Sequence, residues 1–105
     1  MMLSIEEKVV KNEAFITLSG NMIDSSSYAV NEMVKDFISD GIKQVTIDLE
    51  NVRMMNSCFG LGVIMGCWGS LARVGGRLRL ENPSSKVSSL LKITKLDQIL
   101  DVHIK

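Results

Sequence analysis

Asp48-Leu49-Glu50-Asn51-Val52-Arg53-Met54-Met55-Asn56-Ser57-Cys58-Phe59-Gly60-Leu61-Gly62-Val63-Ile64-Met65-Gly66 is the stretch whose reading decides the fold. Val45 to Leu49 is an apolar run of strand type, and a short polar break follows it. The small polar cluster Asn56-Ser57-Cys58 then opens a second apolar run, this time at helical spacing. A strand that hands over to a helix start sets unpaired backbone N–H groups, and the positive end of the helix dipole, beside whatever side chain stands there. Here that side chain is a serine with a cysteine next to it. The position suits a serine that carries phosphate, and it equally suits one that only caps the helix.

Upstream, Ile5 to Lys11 and Ala14 to Leu18 read as two strands joined at Asn12-Glu13 in a hairpin, with Gly20-Asn21 breaking the second. Asp24-Ser25-Ser26-Ser27 offers several N-caps for an amphipathic helix. On it Val30, Met33, Val34, Phe37 and Ile38 recur at spacings of three and four, and Asn31, Glu32, Lys35 and Asp36 face outwards. Gly41 closes that helix. Val45 to Leu49 is the third strand, and Cys58 or Phe59 through Ala72 forms the second helix, stopped by Gly75-Gly76.

Downstream, Arg77-Leu78-Arg79-Leu80-Glu81 alternates as a fourth strand with one wet face. Pro83 falls at the start of a third helix, after Asn82 as N-cap, and that helix runs on through Val87, Leu90 and Leu91. Ile99 to Ile104 is a last strand. The order β-β-α-β-α-β-α-β predicts an α/β fold: one domain over residues 1–105, with a mixed, mostly parallel sheet and helices packed against it.

Gly60, Gly62, Gly66 and Gly69 all fall within the second helix. Each costs about 1 kcal/mol against alanine in a helix interior, so their number implies close approach of another backbone or of a ligand. Close packing of the helix on the sheet is the plainer reading. Gly62 and Gly66 would share that face, while Gly60 belongs to the entry turn.

Composition narrows the function classes. Hydrophobic residues make up 46% and charged residues 23% of the 105, as in ordinary globular proteins. Twelve basic residues balance 12 acidic ones, and they are scattered, which argues against nucleic acid as a partner. No apolar stretch approaches the ~18 residues of a membrane span. The opening Met-Met-Leu-Ser-Ile-Glu-Glu lacks the layout of a secretory signal. Cys58 and Cys67 are nine residues apart, about half a turn at ~100° per residue, and so lie on opposite faces. They fit no zinc spacing, and with a single histidine no metal or cofactor is expected. A reducing, cytoplasmic setting follows.

Leu49 to Gly66, Gly75-Gly76-Arg77-Leu78-Arg79-Leu80, Asn82-Pro83-Ser84 and Leu90-Leu91 to Leu96-Asp97-Gln98-Ile99-Leu100 together resemble the STAS domain family. The likeness is to bacterial anti-sigma factor antagonists of the sporulation and general-stress type, with Gly20-Asn21-Met22-Ile23-Asp24 similar to the family's Gly-Glu-Leu-Asp turn. The resemblance implies a non-enzymatic switch. Such a protein binds an anti-sigma factor that is also a serine kinase, is phosphorylated at the start of the second helix, and is restored by a phosphatase. A phosphate brings about −1.5 to −2 charges into the contact.

The resemblance places partner binding on Asp24, Ser25, Asn56, Ser57, Cys58 and Phe59, with Ser57 as candidate phospho-acceptor. The family pattern Asp-Ser-Ser/Thr-Gly-Leu-Gly-Val is here Asn56-Ser57-Cys58-Phe59-Gly60-Leu61-Gly62-Val63, one residue longer. The acceptor position aligns with Cys58, and Ser57 presents its hydroxyl only if the turn is remodelled. Asn56 replaces the family's acidic residue. The alternative is a non-phosphorylatable module that binds constitutively or serves as a scaffold subunit of a larger complex. A thiol enzyme built on Cys58 is a third reading, but His103, the only histidine, lies on the last strand. Phe59 is either an exposed anchor for a partner or a core residue.

Overall fold

The computed structural model describes residues 3–104, so the outermost ends of the 1–105 reading lie outside the described residues. Its elements run β1 (Ser4–Val10), β2 (Glu13–Met22), α1 (Tyr28–Ser39), β3 (Gln44–Met55), α2 (Gly62–Arg73), β4 (Arg77–Glu81), α3 (Ser85–Ile93) and β5 (Asp101–His103). The expected order of strands and helices is the observed one. The five strands form one sheet in sequence order. β1 is antiparallel to β2, and the β2–β3, β3–β4 and β4–β5 ladders are parallel.

Register explains the core. Ala14 pairs with Val45 and Ile16 with Ile47, which pair in turn with Leu78 and Leu80. Side chains alternate across a strand, so these residues form one continuous buried row under the helices. Val30, Val34 and Phe37 of α1, Ile64, Cys67 and Leu71 of α2, and Val87 and Leu91 of α3 join the same core. The opposite sheet face carries Thr46, Arg77 and Arg79, which border a polar hollow of about 310 Å³.

Four element boundaries differ from the sequence reading. Gly20-Asn21 does not break β2, and the polar stretch after Leu49 does not end β3. Both strands continue to Met22 and Met55 through two register shifts, between Thr17 and Ser19 and between Gly20 and Asn21. Gly20, at φ +108°, supplies the backbone freedom at this irregularity. The slip interrupts the period-two alternation, which is why the polar stretch reads as a break.

The N-cap of α3 is Ser84 rather than Asn82, and its hydroxyl donates to the Val52 carbonyl at 2.8 Å, tying the helix to β3. The last strand is shorter than the expected Ile99–Ile104 because a 3-10 turn, Leu96–Gln98, follows Lys95 in the left-handed region at φ +61°. Among the described residues no helix is long and apolar enough to cross a membrane.

Candidate functional site

The C-terminal ends of β2 and β3 carry two adjoining turns. After β2, the Asp24 carboxylate accepts from the Ser26 backbone N–H at 2.9 Å and from the Ser26 hydroxyl at 2.5 Å, capping the 3-10 turn Ser25–Ser27 that leads into α1. These two bonds, the hydroxyl's first, hold the Asp24 carboxyl below its ordinary range. After β3, the Asn56 side-chain oxygen accepts from the Phe59 N–H at 2.7 Å and caps the next helical segment. Asn56 also joins the two turns. Its backbone N–H donates to the Met22 carbonyl at 3.2 Å, and its side-chain amide donates to the Ile23 carbonyl at 3.3 Å.

The segment that exceeds the resembled family pattern by one residue lies here. Ser57–Leu61 forms a π-helical turn in front of α2. The Leu61 N–H reaches back five residues to the Asn56 carbonyl (3.3 Å), and the Gly62 N–H reaches back five to Ser57. One inserted residue widens a helical turn into a π-bulge while leaving the register beyond it intact. Beyond the π turn, Val63, Ile64, Cys67 and Leu71 of α2 lie in the core. Gly60 makes the turn possible: a Cβ there would lie 1.8 Å from Met55 Cγ.

Ser57 and Cys58 are both exposed on the outside of the bulge. Helix geometry leaves their N–H groups without an intrahelical acceptor. Phe59 is neither a free anchor nor a core residue. It is half-buried and meets Tyr28, at the start of α1, edge to face with ring centroids 5.5 Å apart. Tyr28 is 49% exposed, so the pair forms an aromatic step beside the two polar turns. Asp24, Ser25, Asn56, Ser57, Cys58 and Phe59 thus share one end of the sheet. Tyr28 is the member that the sequence reading missed, since a first-turn tyrosine on an amphipathic helix carries no signal of its partner.

Asn31 was expected to face outwards and does not. It is half-buried, and its amide donates to the Val63 carbonyl at 2.9 Å and to Cys67 Sγ at 3.4 Å, fastening α1 to α2. Gly66 gives it room, because a Cβ there would lie 3.0 Å from the Asn31 amide nitrogen. Gly66 therefore meets α1 rather than the sheet, and Gly62 and Gly69 have room for a side chain.

The two cysteines are free and differ sharply: Cys58 is exposed and Cys67 buried. Burial, only partly offset by the Asn31 contact, pushes the Cys67 thiol up to about 12. Ellman's reagent at pH 8 should titrate Cys58 alone in the native protein and both thiols after denaturation. Two fast native thiols would contradict the packing of α2. His103 lies on β5, its Nε2 2.6 Å from Asp101 Oδ1, and so is engaged two strands away from β3. Among the described residues no group of three or more His, Cys, Asp or Glu could hold a metal ion.

A mixed sheet with strand order β1-β2-β3-β4-β5, clad in helices on its buried side, with a capped helix start beside the β2–α1 turn, defines an α/β binding module of the STAS type. The chain belongs to the STAS domain family, whose model matches residues 4–105. It is 30% identical over 105 residues to the anti-sigma-B factor antagonist of Bacillus subtilis (strain 168), covering 100% of this chain and 94% of that one. Its fold matches the crystal structure of a candidate anti-sigma factor antagonist of Thermotoga maritima with a TM-score of 0.85 at 25% identity, over 94% of this chain and 85% of that one. SpoIIAA, an anti-sigma factor antagonist solved in its unphosphorylated form, matches with a TM-score of 0.75 at 21% identity, over 97% of this chain and 88% of that one. The last of these likenesses concerns the fold alone.

Proposed function

We propose that this protein is an anti-sigma factor antagonist that binds an anti-sigma factor with serine-kinase activity through the rim formed by the Asp24 and Asn56–Phe59 turns. Phosphorylation of Ser57 releases the partner, a phosphatase restores binding, and the cycle runs in the cytoplasm without catalysis by this chain. The observation that carries the reading is the exposed Ser57 at the capped start of a helical segment, joined by Asn56 to the turn that holds Asp24. Unpaired N–H groups and the positive helix end favour a phosphate there. Because Asn56 caps without a charge, no carboxylate at that position opposes one. The full-length likeness to the Bacillus subtilis antagonist supports the same reading.

A second reading rests on Cys58, which is exposed and occupies the family's acceptor position when residues are counted from Asp48-Leu49. On that reading the chain is a constitutive binding or scaffold module. Trypsin releases Met54 to Arg73 as one peptide containing both candidates. Mass spectrometry of that peptide, from protein purified from its own host in growth and in stress, separates the two. Phosphate on Ser57 that varies with condition is the expected result. A peptide unmodified in every condition, with a partner still co-purifying, would instead establish the constitutive module.

A further inference from the structure

β1 lies at the edge of the sheet, and its helix-side face is left partly uncovered. Between it and the outer flank of α1 runs a groove of about 850 Å³. Its floor is apolar, with Val9, Met33 and Phe37 among its lining. Val9 is 48% exposed although it points to the side on which the core lies. The rim is acidic, carrying Glu7, Glu32, Asp36 and Asp40. Lys8 lies at the mouth, and Lys35 reaches Glu32 at 3.7 Å from the neighbouring face of α1.

The complementary surface is on the same molecule. α3 packs through Val87 and Leu91, which leaves Ser85, Ser89 and Ile93 in line on its outer face. Ile93, at 79%, is the most exposed large hydrophobic among the described residues. Lys86 and Lys92 flank that line, Lys95 follows it, and no Asp or Glu occurs between Ser85 and Lys95. A chain of zero net charge therefore separates an acidic apolar groove from a basic helix with an apolar knob.

We infer that the α1–β1 groove is the docking site for α3 of a second copy of this chain, with Ile93 seated over Val9, Met33 and Phe37 and the lysines on the acidic rim. Oppositely charged rims around an apolar contact favour this register over its alternatives. Donor and acceptor are different surfaces, so the contact is heterologous. α3 has nine residues, and the patch it can cover falls short of the ~1,200 Å² of a stable interface, so association is weak and salt-sensitive. Neither surface includes Ser57 or the Tyr28–Phe59 step, and the contact stands independently of the proposed switch.

Two charge-reversed variants test it. One carries Glu32→Lys and Asp36→Lys in the groove; the other carries Lys86→Glu and Lys92→Glu on α3. All four positions are exposed, and circular dichroism with a thermal melt confirms folding. Sedimentation of the wild type at low salt, up to about 1 mM, should show an average mass that rises with concentration and falls back with added salt. Each variant alone should associate at least about tenfold more weakly. An equimolar mixture should regain association, because the first variant's intact α3 meets the second's intact groove and the two reversed surfaces also carry opposite charges. Ile93→Asp should abolish association without unfolding. A wild type that stays monomeric, association that survives either reversal, or a mixture no stronger than its components would overturn the inference.

Discussion

Deletion of Cys58 should leave the protein folded with its thermal midpoint within a few degrees of the wild type, whereas deletion of Ile64 should abolish cooperative folding. The two changes remove one residue each from the same helical segment, six positions apart. Cys58 lies inside the π turn, where the Leu61 N–H already reaches five residues back to Asn56. Removing one residue turns that bond into an ordinary four-residue step, and α2 beyond Gly62 keeps its rotation. Ile64 lies in regular α-helix, so its loss rotates everything beyond it by about 100°. Cys67 and Leu71, both 0% exposed, would swing out of the core, and their neighbours would turn into it. Emptying large apolar sites in this way costs about 2–5 kcal/mol each, which approaches the whole stability of a small domain. Thermal melts and near-ultraviolet dichroism of the two deletions decide the matter. A Cys58 deletion as damaging as the Ile64 deletion would show that the π turn is required by the core rather than added to it.

Ser57→Asp should weaken capture of the anti-sigma partner by about a hundredfold, on the order of 2.7 kcal/mol, while leaving stability unchanged or slightly raised. The two effects have opposite signs for a physical reason. Within the molecule, a carboxylate in the first turn interacts favourably with the helix dipole and contributes about 0.3–1 kcal/mol. In the proposed complex, the same charge would lose its water at a contact formed around a neutral hydroxyl, and an uncompensated buried charge is strongly unfavourable. Ser57→Ala should retain binding within a few-fold, since the side-chain cap of this segment comes from Asn56 and not from Ser57. Calorimetric titration of the partner, beside thermal melts of both variants, separates a binding defect from a folding defect. Equal affinities for the wild type and the Asp variant would remove Ser57 from the interface and favour the constitutive module.

Much of this was legible along the chain. The apolar spacing of Val30, Val34 and Phe37 and the alternation of Arg77 to Glu81 are local signals, and each appears in the fold where it was expected, whereas the cap that Ser57 was read as offering is made by Asn56. The candidate rim was legible too, because both turns follow strand ends. Polar residues inside strands misled. Gly20-Asn21 and Glu50-Asn51 resemble breaks, yet the β2–β3 ladder runs through both by shifting register, a property of the pair rather than of either strand.

The sequence by itself determined the kind and order of the elements, the apolar faces that build the core and the helix start that offers Ser57. Tertiary structure alone decided that Ser57–Leu61 would form a π turn ahead of α2, that Phe59 would rest on Tyr28, and that Asn31 would turn inwards to Val63 and Cys67, 32 and 36 residues away. Periodicity reports which side of an element is apolar, but it carries no information about the distant residue that a side chain will meet. That is settled only when the strands pair and the helices close over them.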